Sequence, residues 1–207
     1  TWGRALYEFV HAMRISTSSN VKVVQLMGAL GKEGRYFDGH GLALLLASKL
    51  GGSHYVPFIP LVVESEDIRE SLANQPNILE FEEIKKDLDL AVIGIGSMEL
   101  DFSGVCQAGY LSVDELNDLR EMGAVGELMG YFFDINGEML DVAFHDRLFS
   151  TYIGDLRNTP CQVVAIAGGK IKTEGVLGEL RGNYVDVLVT DSAVADAVLK
   201  MENRLLV

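Results

Sequence analysis

Basic residues are scarce in this sequence. Seventeen Lys and Arg stand against 30 Asp and Glu, a formal net charge of -13. Nucleic-acid binding relies on Lys and Arg displacing counterions from phosphates, so this chain is not expected to bind DNA by itself. Long apolar runs are missing as well. Leu42 to Ala47 and Leu88 to Ile95 fall well short of the ~20 residues a membrane-spanning helix needs, and no basic stretch precedes an apolar signal core. The expectation is a soluble, cytoplasmic protein with no membrane partner. Cysteine is limited to Cys106 and Cys161, without a CxxC pair, and the four histidines (His11, His40, His54, His145) are scattered. That excludes the usual ligand spacing of zinc sites, and neither a metal nor another cofactor is expected. Cys161 heads an apolar run that reads as a buried strand, where a thiol behaves as a small hydrophobe.

With 48% hydrophobic and 23% charged residues over 207 positions, the chain can bury one sizeable core, and residues 1–207 read as one domain. Val21 to Met27 is a β-branched run ending at Gly28, followed by a polar glycine-rich stretch and a helical Gly41 to Leu50. Tyr55 to Phe58 reads as a strand, Glu66 to Ala73 and Ile78 to Lys86 as helices, and Leu90 to Ile95 as a strand. Farther on, Cys161 to Ala167 and Val185 to Thr190 read as strands, each followed by a helix, Ile171 to Arg181 and Ser192 to Met201, with Asp191 as N-cap of the last. This alternation predicts a parallel sheet covered by helices on both faces, with ligands beyond the carboxyl ends of its strands. The middle differs. Tyr131 to Phe133, the turn Asp134-Ile135-Asn136-Gly137, and Asp141 to Thr151 read as a small antiparallel insertion. The chain starts at Thr1 with a helix over Trp2 to Met13 immediately behind it, and reads as a piece of a longer protein.

Three strands run into glycine-rich turns. Ala167-Gly168-Gly169-Lys170-Ile171-Lys172 joins a buried strand to a helix, so unpaired N–H groups and the positive end of a helix dipole lie beside a lysine. Such a loop either cradles a phosphate or carboxylate or merely allows a tight turn. Gly94-Ile95-Gly96-Ser97 admits close approach to the backbone and adds a hydroxyl, and sharp-turn geometry explains it equally. Gly28-Ala29-Leu30-Gly31-Lys32-Glu33-Gly34-Arg35, with Asp38 and His40 behind it, lacks the Gly-Lys-Ser/Thr of a nucleotide-binding loop. Asp134 is either a turn former or a ligand group. Asp146 either pairs with a charge such as Arg147 or touches a ligand.

Together these stretches resemble the effector-binding, or sugar-binding, domain of SorC/DeoR-type bacterial transcriptional regulators. The resemblance is carried from end to end by Trp2-Gly3-Arg4-x-Leu6-Tyr7, Val23 to Gly28, Ala91 to Ser97, Gly130 to Asp134, Asp146-Arg147, Ala165 to Lys172, Leu180-Arg181-Gly182 and Val187 to Asp191. It implies a Rossmann-like fold similar to sugar-phosphate isomerases and glucosamine-phosphate deaminases, used to sense a phosphorylated sugar. It also implies a homo-oligomer, dimer or tetramer, and a helix-turn-helix domain, absent from this chain, through which alone DNA is bound. Carried over onto this sequence, Lys172, Gly168, Gly169 and Gly28 face the phosphate. Ala29, Leu30, Asp38, Gly94, Gly96 and Ser97 line the same edge, and Asp134 and Asp146 lie near the sugar. Two departures from the pattern are visible: Ala29-Leu30, where relatives have a second glycine or small polar residue after Gly28, and Gly175-Val176 in place of Ala-Ile.

An enzyme of the isomerase or deaminase kind is the alternative. Those enzymes use a carboxylate base and a histidine after the Gly-x-Gly strand, whereas Gly96 is followed here by Ser97-Met98-Glu99-Leu100-Asp101 with no histidine, so no catalysis is expected. A Schiff base between a lysine and an aldehyde sugar is a variant within the sensor class. A module for oligomerisation alone has little need of three glycine-rich loops at one sheet edge.

Overall fold

A computed structural model describes residues 1–15, 20–30 and 38–205, without the side chains of 204 and 205. Gly31 to Arg35 of the loop singled out above lie outside the described residues. The chain opens with α1 (Arg4–Ala12), which turns Leu6 and Val10 inward at the i, i+4 spacing of one helix face. β1 (Lys22–Val24), α2 (Gly39–Leu50) and β2 (Ser53–Tyr55) form a strand–helix–strand unit with the two strands parallel. α3 (Glu66–Ala73) begins where Ser65 Oγ accepts the Ile68 N–H at 3.3 Å, and α4 (Pro76–Lys85) begins on a proline, which has no N–H to leave unpaired. Then come β3 (Leu90–Gly94), β4 (Gly96–Ser97), α5 (Gly104–Gln107) and α6 (Val113–Glu121), the last opened by a reciprocal Ser112–Glu115 capping box. β5 (Ala124–Leu128), β6 (Tyr131–Asp134), α7 (Ala143–Asp146), α8 (Ile153–Arg157) and β7 (Gln162–Ile166) follow, and α9 (Thr173–Arg181), β8 (Val187–Val189) and α10 (Ser192–Leu205) complete the order.

Three pieces of sheet result: parallel β1-β2, parallel β3-β7-β8 and antiparallel β4-β5-β6. A parallel strand buried on both faces alternates between two layers, and β3 and β7 do so. Ala91, Ile93, Val163 and Ala165 enter the main core, while Val92 and Ile166 pack against the Leu6, Val10 and Leu42 cluster of α1 and α2. Only Ile95 separates β3 from β4, so the chain steps from the parallel into the antiparallel sheet at Gly94-Ile95-Gly96. α9 packs against the antiparallel sheet, and its Gly175 and Gly178 are what let it come close. A methyl built on Gly175 would lie 3.3 Å from the Val125 carbonyl oxygen, and one on Gly178 2.5 Å from that of Asp134.

The antiparallel insertion is therefore present, but its strands are not the expected ones. β6 pairs with β5 across a tight turn in which Met129 and Gly130 both take positive φ, 54° and 91°. Asp141 to Thr151, read from sequence as strand, instead contains α7 and makes isolated bridges only, Val62 to Leu148 and Met27 to Ser150. The Asn136-Gly137 turn does fold a short arm back, with Leu140 N–H donating to Phe132 at 2.9 Å, yet the pairing stops there. Boundaries also move. β1 is shorter than Val21 to Met27, β2 ends at Tyr55 where the expected strand Tyr55 to Phe58 begins, β8 is shorter than Val185 to Thr190, and the helix expected at Ile171 starts at Thr173 after a single 3-10 turn over Lys170–Lys172.

Candidate functional site

β3 and β7 are parallel neighbours, with Leu90 opposite Gln162 and Gly94 opposite Ile166, so their carboxyl ends deliver Gly94-Ile95-Gly96 and Ala167-Gly168-Gly169 side by side. The Lys172 side chain ties them together. Its Nζ donates to the Ile95 carbonyl at 2.6 Å, reaching from the loop after β7 to the step after β3. Beside it lies Glu127 of β5, which the sequence did not mark out. The Glu127 carboxylate sits directly against Gly96, where any side chain would collide with it, and accepts the Gly130 N–H at 2.6 Å. Gly96 is thus glycine because a carboxylate occupies the space of its side chain. A charge between Gly126 and Leu128, in an otherwise apolar strand, was the available signal.

Burial works against charge on both partners. It lowers the Lys172 pKa, with the Glu127 charge opposing, and it raises that of Glu127, with the Gly130 N–H and Lys172 opposing. A half-buried ammonium beside a half-buried carboxylate at a glycine-lined step can bond a ligand that brings its own negative and hydroxyl groups. The start of α9 adds a positive dipole end at the same edge, with the N–H groups of Lys172 and Thr173 donated to the Gly169 and Lys170 carbonyls.

Gly169 has φ 88°, the left-handed region that glycine alone enters freely. Its N–H donates to Asp191 Oδ2 at 2.7 Å, so within this chain that donor is already engaged. Ser97 is buried at the start of the antiparallel sheet, and its Oγ accepts the Glu99 N–H at 3.1 Å.

The remaining candidates lie apart from this step. Gly28 donates to the Phe149 carbonyl at 2.8 Å, and Ala29 exchanges bonds with Ile59 and Leu61, 2.8 and 2.9 Å, while Leu30 packs on the main core. These residues form a ladder beyond β1. Asp38 precedes α2 without capping it, and its Oδ1 is buried with no partner among the described residues. Entry residues bridge the two regions: the Thr1 carbonyl lies beside Gly39 and that of Trp2 beside Gly94. Asp134 is brought to the opposite end of α9 from Lys172. Its Oδ1 accepts the N–H groups of Asn136 and Glu138 at 2.9 and 2.8 Å. Burial raises its pKa, but those bonds outweigh burial and the net shift is downward. Asp146 is exposed at the end of α7, where its carbonyl accepts Arg69 Nε at 2.8 Å. A cavity of about 750 Å³ lies elsewhere, between α1, α2 and the facing edges of β1 and β3, and includes Gln25 and Gly39. Among the described residues no three His, Cys, Asp or Glu converge as metal ligands, and no helix is long and apolar enough to cross a membrane.

A family model described as "Putative sugar-binding domain" matches residues 1–200. The chain belongs to this sugar-binding domain family. Its relatives include the transcriptional regulator LsrR of Escherichia coli, 31% identical over 188 residues, and the sorbitol operon regulator of Klebsiella pneumoniae, 28% identical over 202. These matches cover 89% and 97% of the chain but only 56% and 64% of the relatives, so the chain spans about three fifths of their length. The crystal structure of the full-length Klebsiella regulator SorC superposes on 96% of the chain and 63% of that protein, with TM-score 0.87 at 28% identity. A transcriptional regulator from Streptococcus pneumoniae gives 0.88 at 27%, covering 98% of this chain and 76% of that one. The α/β fold is thus that of the SorC/DeoR sugar-binding domains, whose named members here are regulators rather than enzymes.

Proposed function

We propose that this chain is the ligand-sensing part of a bacterial transcriptional regulator and binds a phosphorylated sugar at the joined ends of β3 and β7. The observation that carries the reading is the Lys172 ammonium, turned inward across both strand ends and facing Glu127. Lys172 and the positive end of the α9 dipole attract the phosphate, Glu127 accepts from sugar hydroxyls, and Gly94, Gly96, Gly168 and Gly169 keep the backbone open to the ligand. Ser97 borders the same step, while Gly28, Ala29, Leu30 and Asp38, set apart beyond β1, meet the part of the ligand farthest from Lys172. Asp134, paired in β6 at the far end of α9, and Asp146, at the end of α7, stand outside this ligand site. Relatives named for sorbitol and erythritol catabolism and a deoxyribonucleoside regulator support a polyhydroxylated ligand. Occupancy shifts the contacts between copies of a homo-oligomer, dimer or tetramer. A helix-turn-helix segment outside this chain then reads that shift, through the ligand's different affinities for the two arrangements.

The test is thermal unfolding with a panel of sugar phosphates and the same sugars without phosphate. Ligand at a hundred times its Kd stabilises by about 2.7 kcal/mol, which for a chain of this size raises Tm by roughly 5–10 °C. The phosphorylated member is expected to act and its neutral counterpart not, and Lys172→Met to abolish the shift while remaining folded. A panel without effect on the unsubstituted chain refutes the proposal.

A further inference from the structure

Asp191 stands between β8 and α10 and uses its two carboxylate oxygens on two different elements. Oδ1 accepts the Val194 N–H at 2.9 Å and so caps α10, while Oδ2 accepts the Gly169 N–H at 2.7 Å in the turn after β7. Two consecutive glycines carry no side chain with which to fix their own conformation, and Gly169 adopts φ 88°. Within the turn the Gly169 carbonyl accepts the Lys172 N–H at 2.9 Å, and the Gly169 N–H is held from outside it by Asp191. A methyl built on Gly168 would lie 3.1 Å from the same Oδ2, so the absence of a side chain there also leaves the carboxylate its place.

We propose that Asp191 is a positioning residue of the ligand site: it fixes the Gly168-Gly169 turn and thereby aims Lys172, three residues on, at the Ile95 step. The inference rests on the reading of the site given above. It has a structural consequence for recognition. The Gly169 N–H is spent on an internal anion, so an incoming phosphate is met by Lys172 and the helix start rather than by that glycine. It also ties the turn mechanically to α10, since one side chain holds both.

Capping needs one acceptor oxygen, and this arrangement needs two. Asn supplies one, so Asp191→Asn keeps a good cap on α10 and turns an amide NH2 toward the Gly169 N–H, or the reverse. Because Asn is among the preferred caps, the first outcome is expected. Two measurements on the complete chain separate the possibilities. Without ligand, NMR amide exchange in Asp191→Asn is expected to be about tenfold faster at Gly169, the scale of one charge-assisted bond, and unchanged at Val194, with Tm close to that of the parent. With glucose 6-phosphate, fructose 6-phosphate, ribose 5-phosphate and inorganic phosphate as probes, calorimetric affinity is expected to fall by about the same factor. Unchanged exchange at Gly169 overturns the proposal. So does equal or tighter binding, which would mean that phosphate displaces the carboxylate from the turn. If no probe binds the parent chain, the reading of the site fails, and the exchange measurement, needing no ligand, still decides whether Asp191 holds the turn.

Discussion

Ionisable side chains drawn out of water have their charge opposed by burial in this domain. Lys172 and Glu127 at the strand ends are one case, and Glu179 in α9 is another. Glu179 is fully buried, neither carboxylate oxygen has a hydrogen-bond partner among the described residues, and burial raises its pKa to about 8. A carboxyl that holds its proton more tightly folded than unfolded favours the native state at low pH. Its penalty therefore begins as pH rises past about 4.5, grows until about 8, and levels above that. Glu127, whose pKa shifts in the same direction, adds to the slope. The chain is expected to lose up to roughly 4 kcal/mol from Glu179 between pH 5 and pH 9, and Glu179→Gln to flatten that loss. His145, whose pKa burial lowers to about 4, gains stability as pH rises toward 6.5 and opposes this slope, so the check is the difference in melting temperature between the two proteins: Glu179→Gln is expected to gain on the parent from pH 5 to pH 9, and a difference that stays constant or shrinks contradicts the sign.

Among the elements, α9 matters most for the site because it starts at Lys172 and lies on β5 and β6. Its approach depends on Gly178, where a methyl would meet the Asp134 carbonyl at 2.5 Å and the buried Phe133 ring at 3.0 Å. The carbonyl belongs to backbone and cannot rotate away. Gly178→Ala gains about 1 kcal/mol of helix propensity and loses about 2–3 kcal/mol to overpacking. A net drop in Tm of roughly 4 °C is expected, together with weakened sugar-phosphate binding, since lifting α9 also lifts Lys172. Calorimetry of the variant reads both. At this scale much of the architecture was legible. β3, β7, β8 and the helices behind the last two appear from apolar runs and glycine punctuation alone, because β3 and β7, buried on both faces, have no polar alternation to obscure them and the edge strand β8 is apolar throughout. The antiparallel piece was less legible. The Asn136-Gly137 dipeptide is a strong turn signal and drew attention downstream, whereas the hairpin that builds the sheet turns at Met129-Gly130, and its β5 strand contains two residues, Gly126 and Glu127, that strands disfavour. Both answer tertiary contacts: Gly126 the approach of Gly175, Glu127 the charge of Lys172. Where local preference failed, tertiary packing had replaced it. Asp191 was legible as a cap, but its second bond to Gly169 joins residues 22 apart, and such pairing has no local signature.

At the scale of the molecule, the charge of -13 and the inward-facing Lys172 divide the labour. One lysine is turned into the fold against a carboxylate, while the remaining surface carries an excess of acid. A phosphorylated ligand can be held by the local field of Lys172 and a helix start, because partly buried charges are screened far less than exposed ones. A duplex is different: it must be gripped at many phosphates at once, with free energy drawn from counterions released at each, and this surface offers mainly repulsion. The chain by itself is therefore expected to show no binding to duplex DNA, of any sequence, in fluorescence anisotropy at about 0.15 M salt and micromolar protein, with or without a sugar phosphate. Lowering the salt to about 0.02 M should not rescue it, since weaker screening strengthens repulsion as much as attraction. Salt-sensitive binding by the isolated chain would show instead that its few basic residues are gathered on one face, and would move the DNA contact into the sensing domain itself.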